Sequence, residues 1–586
     1  MRASCLIVFA LTAITSVVAH PVQQRELRVI GRRSSAKVAN VTARAPPAEF
    51  DALTNGNAKF RNNTDQAALK KLADDGQAPP FMFIGCSDSR VSEGTVFNAA
   101  PGTLFTQRNI ANQFQPSDVN TNSVLSYAVA VLGVQHVILM GHYGCGGVAA
   151  SIATPPVNQI DAANAAVQNW IQPIREIFQT SSRPEIVELR KKNEGAELVE
   201  EPDIKEPGFR ALVEENVKAG VARIAKDSVI TNHYALLASG GNATAPSIRR
   251  RSGEGKPPGN VFIHGWVYDI ENGEVRDLGV SVGPPGVAIP EAPFAAVAQS
   301  AADAGATHSG SSPSSQSPTA PKDESADKAS AKPEVNPTTT AEAPKATETG
   351  SLREKNAASN PEQELFWLQE GNQQFRDHIN AAHPGFFEQS AKGQHPSFMV
   401  IACSDSRVSE GTIFNMLPGS IFASLIRAKR RLNFRCAALA YGVAELGVNH
   451  IIVPGHYGCG GIKAAMSPLP EPPVDAAQGV IQQEVSTIRR EQKPATGCMN
   501  LLASPRGRER ESWGHTRIAK SSVIVNHFAK LDSAQTARDW RTGEDTSATP
   551  VFVHGWVYDV TNGNTYDLNV SVGPPGILVP LLKAAY

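Results

Sequence analysis

The chain carries the same two reactive motifs twice. C-S-D-S-R occupies residues 86–90 and 403–407, and each copy is followed by H-Y-G-C, at residues 142–145 and 456–459. Two cysteine thiolates and one histidine imidazole form a three-ligand zinc set, which leaves a fourth position for water, whereas structural zinc sites ordinarily have four Cys or His ligands. The pattern therefore favours a catalytic zinc ion in each copy. The predicted ligands are Cys86, His142 and Cys145 in the first copy and Cys403, His456 and Cys459 in the second.

An aspartate and an arginine follow the first cysteine of each motif, as Asp88 and Arg90 and as Asp405 and Arg407. Alternate residues of an extended segment point the same way, so the cysteine, aspartate and arginine are predicted to share a face. The aspartate could bind zinc itself or accept a hydrogen bond from a hydroxide on the metal. An arginine can hold a carboxylate through two hydrogen bonds, which would leave the fourth zinc position to water. Zinc can lower the pKa of its water to about 7, so hydroxide chemistry near neutral pH is expected.

Apolar segments lead into both motifs of the first copy, at residues 81–84 and 136–140. Uninterrupted apolar segments are typical of strands buried on both faces of a parallel sheet. Helices are predicted over residues 123–132 and 161–171. The order of elements predicts an α/β fold in which each copy is a mainly parallel sheet flanked by helices, with the motifs at the carboxyl ends of strands.

Matching segments recur in the same order along the 586 residues, which indicates tandem duplication of a whole domain. G-N-A-K-F-R at 56–61 returns as G-N-Q-Q-F-R at 371–376, and H-G-W-V-Y-D at 264–269 returns at 554–559. The predicted repeats are 49–297 and 360–586. The segment between them, 298–359, is rich in Ser, Thr, Ala and Pro and is predicted to be a disordered linker.

Residues 1–19 have the pattern of a signal peptide, followed by a flexible segment at 20–48, so a secreted or cell-wall protein is expected. An uncleaved anchor is the alternative; after cleavage no membrane association is predicted. The net charge of −1 and the lack of a basic stripe argue against a nucleic-acid partner. The few cysteines fit metal binding rather than a disulfide framework. Candidate N-glycosylation sites are Asn40, Asn62, Asn242 and Asn569.

The paired motifs, C-x-D-x-R and H-x-x-C, resemble those of β-class carbonic anhydrases, and the similarity covers nearly all of residues 50–296 and 360–586. This resemblance implies reversible hydration of carbon dioxide to bicarbonate and a proton, with one Zn²⁺ in each repeat. It also implies that Asp88 and Arg90 form a catalytic dyad in repeat 1, as Asp405 and Arg407 do in repeat 2.

The resemblance extends to a substrate wall of one amide and two aromatic rings, which suits a small, nearly apolar substrate with one polar contact. In the family this wall typically comes from the partner subunit of a dimer, so the two repeats are expected to form an intramolecular pseudo-dimer; further homo-oligomerisation stays open. The matching residues are Gln77, Phe105 and Tyr127 in repeat 1 and Gln394, Phe422 and Tyr441 in repeat 2.

Two other functions fit the same motifs. The zinc site could hydrolyse carbonyl sulfide or carbon disulfide instead of hydrating carbon dioxide. Alternatively, the chain could be a non-catalytic bicarbonate-responsive protein in which the aspartates stay bound to zinc; the intact Arg90 and Arg407 count against this. His264 and His554 are expected to be structural, because no zinc ligand is missing.

The second repeat departs from the first over about 423–436 and 495–515, which are rich in arginine and contain the unmatched Cys436 and Cys498. Either this repeat has lost part of its pocket, or these stretches are errors in the coding sequence. The abrupt change between well-matched flanks favours an error.

Overall fold

The computed structural model describes residues 48–155, 162–239, 259–297, 360–426, 437–466, 481, 518–532, 536–538, 545–547, 549–577 and 579–580. The predicted signal peptide and linker lie outside these residues, as do Asn40, Asn242, Cys436 and Cys498. The predicted repeat boundaries therefore stay predictions.

Repeat 1 begins with two helices, α1 (Ala48–Asn63) and α2 (Gln66–Asp75). Its strands are β1 (Phe81–Cys86), β2 (Leu104–Asn109), β3 (His136–His142), β4 (Phe262–Asp269) and β5 (Glu274–Asp277). Its other helices are α3 (Glu93–Val96), α4 (Val119–Tyr127), α5 (Gly146–Ile152), α6 (Ala162–Thr180), α7 (Pro184–Asn193), α8 (Pro207–Lys226) and α9 (Ser228–Ala238).

The described part of repeat 2 follows the same order, with a separate two-stranded sheet added before its last two strands. Its helices are α10 (Pro361–Ala382), α11 (Phe386–Ala391), α12 (Glu410–Ile413), α13 (Ala437–Ala444), α14 (Gly460–Met466) and α15 (Ser522–Asp532). Its strands are β6 (Phe398–Cys403), β7 (Ile421–Ile426), β8 (His450–His456), β9 (Thr536–Arg538), β10 (Asp545–Ser547), β11 (Phe552–Tyr558) and β12 (Thr565–Val572). The separate sheet pairs β9 with β10.

Each repeat contributes a mainly parallel sheet, as predicted. In repeat 1, β1 lies between β2 and β3 with parallel pairing, β4 is parallel to β3, and β5 is antiparallel to β4. Repeat 2 has the same pairing, with β12 antiparallel at its edge. Every residue of β1, β3 and β4 is buried, which explains their continuous apolar sequences. The α/β prediction is confirmed.

The predicted local elements are largely in place. The strand predictions at 81–84 and 136–140 fall within β1 and β3. The helix predicted at 123–132 corresponds to α4 and a π-helical turn at Ala128–Leu132, and that predicted at 161–171 is the first part of α6.

The two repeats share one ten-stranded sheet in the order β12-β11-β8-β6-β7-β2-β1-β3-β4-β5. The junction is an antiparallel contact between β2 and β7, where Arg108 lies opposite Leu425. Backbone hydrogen bonds extend it on both sides, from Thr106 N to Ser404 O at 3.1 Å and from Ala423 N to Ser87 O at 3.1 Å. The motif of each repeat thus contacts the β2 or β7 strand of the other.

The first helix of each repeat packs against the other repeat. Phe50, Leu53 and Phe60 of α1 pack in one cluster with residues of repeat 2 such as Trp556, and α10 of repeat 2 packs with residues of repeat 1 such as Trp266.

The repeated G-N pair explains this close packing. A Cβ on Gly56 would lie 1.8 Å from the Phe414 carbonyl oxygen, and one on Gly371 would lie 1.9 Å from that of Phe97. The adjacent Asn57 donates to Gly563 O at 3.0 Å. Asn372 makes the equivalent bond to Gly273 O at 3.0 Å.

No helix among the described residues is long and apolar enough to cross a membrane.

Candidate active sites

The predicted ligands of repeat 1 meet at the carboxyl ends of neighbouring strands. Cys86 is the last residue of β1 and His142 the last residue of β3, and these two strands are parallel partners. Cys145 precedes α5, after a turn in which Gly144 adopts a φ of +71° that glycine permits without strain. The three potential ligand atoms lie within 4.8 Å of one another, and all three residues are buried.

These residues fit a zinc ion. Two thiolates on a tetrahedral zinc, each at about 2.3 Å, stand about 3.8 Å apart, and the Cys86 and Cys145 sulfurs are 3.8 Å apart. His142 Nδ1 lies 3.0 Å from the Tyr143 carbonyl oxygen, which leaves Nε2 to act as the ligand. This buried Nε2 has no hydrogen-bond partner among the described residues.

The pKa values of the two thiols in repeat 1 are shifted in opposite directions. Burial raises the pKa of Cys86, but the hydrogen bond from Cys145 and the charge of His142 bring it well below its usual range. The same hydrogen bond, together with burial, raises the pKa of Cys145. One sulfur is therefore already suited to be a thiolate, the form that binds metals.

Asp88 and Arg90 meet through a turn rather than along an extended segment. β1 ends at Cys86, and Val91 N donates to Asp88 O at 3.1 Å. The prediction that Cys86, Asp88 and Arg90 share a strand face was therefore wrong in its geometry. The chain reverses after the strand, and the side chain of Asp88 caps this turn by accepting a hydrogen bond from Arg90 N at 2.9 Å.

Arg90 holds the Asp88 carboxylate at both oxygens. Its Nε donates to Oδ1 at 2.9 Å and its Nη2 to Oδ2 at 2.7 Å. Both side chains are buried. Burial alone would raise the pKa of Asp88, but the charge and hydrogen bonds of Arg90 outweigh it and lower that pKa to about 2. Asp88 is thus a carboxylate, and its Oδ2 lies 3.8 Å from His142 Nε2.

Repeat 2 contributes an amide to this site. Gln394 Nε2 donates to Asp88 Oδ2 at 2.8 Å, and its Oε1 accepts from Ser89 N at 2.9 Å and from Ser89 Oγ at 2.7 Å. Arg90 also reaches the other repeat, through a bond from Nη1 to Ser390 O at 3.0 Å. The Asp88 site is therefore built from both repeats.

The aromatic candidates of repeat 2 lie on the same side. A Cβ on Gly146, next to Cys145, would lie 2.3 Å from Tyr441 Oη. Phe422 stacks on Tyr441 with ring centroids 5.9 Å apart. Phe422 directly precedes Ala423, whose N–H donates to the carbonyl oxygen of Ser87 in the Cys86 motif.

The second site has the same plan. The sulfurs of Cys403 and Cys459 are 4.0 Å apart, and the ligand atoms of these cysteines and His456 again lie within 4.8 Å of one another. Arg407 Nε and Nη2 donate to Asp405 at 2.8 and 2.7 Å. The pKa of Asp405 is raised by burial but lowered further by the hydrogen bonds and charge around it, with a net decrease. The hydrogen bond to Cys459 and burial raise the pKa of Cys403.

Repeat 1 completes this second site. Gln77 Nε2 donates to Asp405 Oδ2 at 2.9 Å, and its Oε1 accepts from Ser406 N at 2.9 Å. A Cβ on Gly460 would lie 2.5 Å from Tyr127 Oη, and Phe105 packs beside Tyr127 with ring centroids 5.8 Å apart. The predicted wall residues of each repeat thus lie beside the aspartate and the predicted zinc ligands of the opposite repeat.

One buried residue near the site was not predicted. Arg108 donates from Nε to Cys86 O at 2.8 Å and from Nη2 to Asp88 O at 2.6 Å. The sequence signal was available, because Arg108 lies in the stretch where repeat 2 departs from repeat 1.

His264 and His554 lie outside both ligand sets. His264 Nε2 is 2.9 Å from His136 Nδ1, and its Nδ1 is 3.0 Å from Ser281 Oγ. His554 has the same arrangement with His450, at 3.1 Å, and Ser571, at 3.0 Å.

The family model described as Carbonic anhydrase matches residues 81–236 and 398–565, more than half of the chain. The chain belongs to the β-class carbonic anhydrases. The two matched segments fall in the two repeats and contain every predicted zinc ligand. The resemblance seen in the motifs is confirmed, and the protein is a carbonic anhydrase, an enzyme that hydrates carbon dioxide.

Three similar proteins each cover between 34% and 40% of this chain. A carbonic anhydrase of Emericella nidulans is 28% identical over 229 residues, which are 38% of this chain and 82% of the relative. One of Pseudomonas aeruginosa is 30% identical over 205 residues, covering 34% of this chain and 74% of the relative. A crystal structure of a β-carbonic anhydrase of Aspergillus fumigatus is 28% identical, with a TM-score of 0.29, and the match covers 40% of this chain and 91% of that one.

Proposed function

We propose that each repeat binds one Zn²⁺ and that the chain interconverts carbon dioxide and bicarbonate reversibly at two sites. The observation that supports this most strongly is the meeting of two thiols and one imidazole beside an aspartate that its own arginine holds. The sulfur separations of 3.8 and 4.0 Å match a tetrahedral zinc in both repeats. Bound zinc in carbonic anhydrases supplies hydroxide from water near neutral pH.

Asp88 orients the reacting groups in this proposal. Its carboxylate is fixed by three hydrogen bonds from Arg90 and one from Gln394. The buried arginine keeps it ionised, so its oxygens accept hydrogen bonds and do not donate them. A carboxylate held in this way is available to orient a water molecule beside His142 and the two sulfurs. Asp405 and Arg407 would do the same in the second site.

Gln394 binds substrate in the first site. A primary amide has two N–H donors, and one hydrogen bond from its Nε2, to Asp88, is found among the described residues. The second donor is free for an oxygen of carbon dioxide or bicarbonate. Its orientation is fixed, because Oε1 accepts two hydrogen bonds from Ser89. Phe422 and Tyr441 supply the apolar wall beside it.

The functional unit is an intramolecular pseudo-dimer. Support comes from the crossed contacts, in which Gln394 reaches Asp88 and Gln77 reaches Asp405. Tethering the two halves in one chain keeps them together at any protein concentration.

The protein is secreted, on the evidence of its N-terminal sequence alone. Asn62 and Asn569 are exposed and are therefore accessible to glycosylation. Release into culture medium, followed by N-terminal sequencing, tests the predicted cleavage after residue 19.

Stopped-flow hydration of carbon dioxide by the zinc-loaded chain tests the activity. Proton release that disappears only when Cys86→Ala and Cys403→Ala are combined supports two catalytic sites. Carbonyl sulfide and carbon disulfide are offered in parallel, and faster turnover of either gas would reassign the substrate. A correctly folded, zinc-loaded chain that remains inactive even at alkaline pH would contradict the proposal and favour a non-catalytic protein.

A further inference from the structure

The two sites differ at one pair of equivalent positions. Arg108 lies opposite Gly85 in the β1–β2 pairing, and Leu425 lies opposite Ala402 in the corresponding β6–β7 pairing. The two residues face each other where the repeats join the common sheet. Both are buried. In repeat 2, leucine thus stands where repeat 1 has arginine, within the stretch at 423–436 that sequencing of the transcript would verify.

Arg108 holds the main chain of the first site. Its guanidinium donates to the carbonyl oxygens of Cys86 and Asp88 at 2.8 and 2.6 Å, so it fixes the residues that carry a zinc ligand and the catalytic carboxylate. Its third contact is an ion pair with Glu410 of repeat 2. Such charge-assisted hydrogen bonds are among the stronger ones in proteins, and Arg108 makes three of them in a fixed fork.

Leu425 gives the second site no equivalent support. An aliphatic side chain has no donor for the carbonyl oxygens of Cys403 and Asp405. The same replacement leaves Glu93 with only a long ion pair, because Arg108 binds Glu410 closely and its Nη1 is 3.8 Å from Glu93 Oε2. Glu93 Oε2 is buried and has no hydrogen-bond partner among the described residues. Glu93 thus marks the place where a guanidinium from position 425 would bind.

We propose that Arg108 is a positioning residue for the Cys86 site and that its replacement by Leu425 makes the two zinc sites unequal. The Cys86 site is held rigidly, retains its metal longer and carries most of the turnover. The Cys403 site has the same ligands on a less constrained main chain and releases its metal faster. This inference rests on the proposed zinc site in each repeat.

Metal release tests the inference without depending on turnover. The full-length chain is loaded with zinc and mixed with a chromophoric chelator, beside Cys86→Ala and Cys403→Ala chains that keep one site each. Loss of outer-shell support typically costs about 10- to 100-fold in metal affinity or activity. We expect the chain with only the Cys403 site to release zinc about 10-fold faster than the chain with only the Cys86 site. Equal rates would overturn the inference.

Exchanging the two side chains tests the cause. Arg108→Leu in the Cys403→Ala chain should raise the rate of zinc release and lower kcat for carbon dioxide hydration. Leu425→Arg in the Cys86→Ala chain should slow release and raise kcat, because a guanidinium then reaches Glu93 and the second motif. Leu425→Met, which adds no donor, is the matched control. No change in release rate in either exchanged chain would overturn the assignment to Arg108.

If Arg108→Leu fails to fold, Leu425→Arg still tests the proposal, because slower zinc release and a higher kcat are expected from it. If all chains are inactive on carbon dioxide but release zinc at the expected unequal rates, the proposed function fails and the inference stands.

Discussion

Gln394 of the second repeat donates its side-chain amide to Asp88 of the first repeat at 2.8 Å. The mirrored bond, from Gln77 to Asp405, is 2.9 Å long. Neither repeat therefore contains all the residues that surround its own predicted zinc ligands and aspartate. Tandem duplication has placed in one chain the two halves that complete each other.

Alanine at Gly56 or Gly371 should weaken the packing of the first helix of each repeat against the other repeat. A Cβ at these positions would lie 1.8 and 1.9 Å from carbonyl oxygens of the opposite repeat, so α1 or α10 must move away. Overpacking of this kind typically costs about 1–3 kcal/mol. We expect each substitution to lower the free energy of unfolding by this amount in urea titrations. Gly259→Ala is the control, because nothing lies within 4 Å of its Cβ; unfolding curves that match this control would show that the packing is not tight.

Glu93 should make the protein less stable as the pH rises. Burial and the nearby Glu410 raise its pKa from 4.5 to about 7, despite Arg108 and the hydroxyl of Ser409. Between pH 4.5 and 7 the folded chain holds a proton that the unfolded chain has released, so the free energy of unfolding falls over this interval and then levels off.

Glu93→Gln removes this titration and should stabilise the protein at pH 8 by up to about 3 kcal/mol, with less effect at pH 4.5. Thermal and urea unfolding across this range measure the difference. Glu362→Gln, at an exposed position, is the matched control. An equal change at both pH values would show that Glu93 does not carry the extra proton.

Zinc content should follow the two ligand sets. We expect two zinc ions in the unaltered chain, one after Cys86→Ala or Cys403→Ala, and none after both changes, measured by elemental analysis. Removal of zinc by a chelator should lower the melting temperature, because a ligand that binds only the folded state stabilises it. Two zinc ions in a single variant would place the metal elsewhere.

The meeting of the two cysteines and the histidine in each repeat, and the sheet that carries them, were predictable, because reactive residue types stood at the ends of continuous apolar segments. Cys86 and His142 lie close together because they end β1 and β3, which are neighbouring parallel strands. The turn joining Asp88 to Arg90 was not predicted, because the side-chain cap that forms it competes with strand extension.

The packing of α1 and α10 on opposite repeats could not be predicted from the sequence of either helix. An apolar face shows that a helix packs against something, but it does not show which of two homologous repeats, because their surfaces are nearly the same. The choice depends on close contacts such as that of Gly56 with Phe414, which appear only in three dimensions. The contacts of Arg108 were not predicted, because its partners come from both repeats; the sequence signalled the position only through the departure of repeat 2 from repeat 1 there.

The most direct test of the account measures kcat/KM for carbon dioxide hydration in the zinc-loaded Cys403→Ala chain, whose working site is that of Cys86. Loss of a hydrogen bond to a charged group typically costs about 1.5–3 kcal/mol, which is about 10- to 100-fold in rate. Gln394→Ala should lower kcat/KM by this factor, and Gln77→Ala should leave it unchanged, although Gln77 belongs to the same repeat as Cys86. A loss with Gln77→Ala and none with Gln394→Ala would show that each repeat completes its own site and would contradict the account.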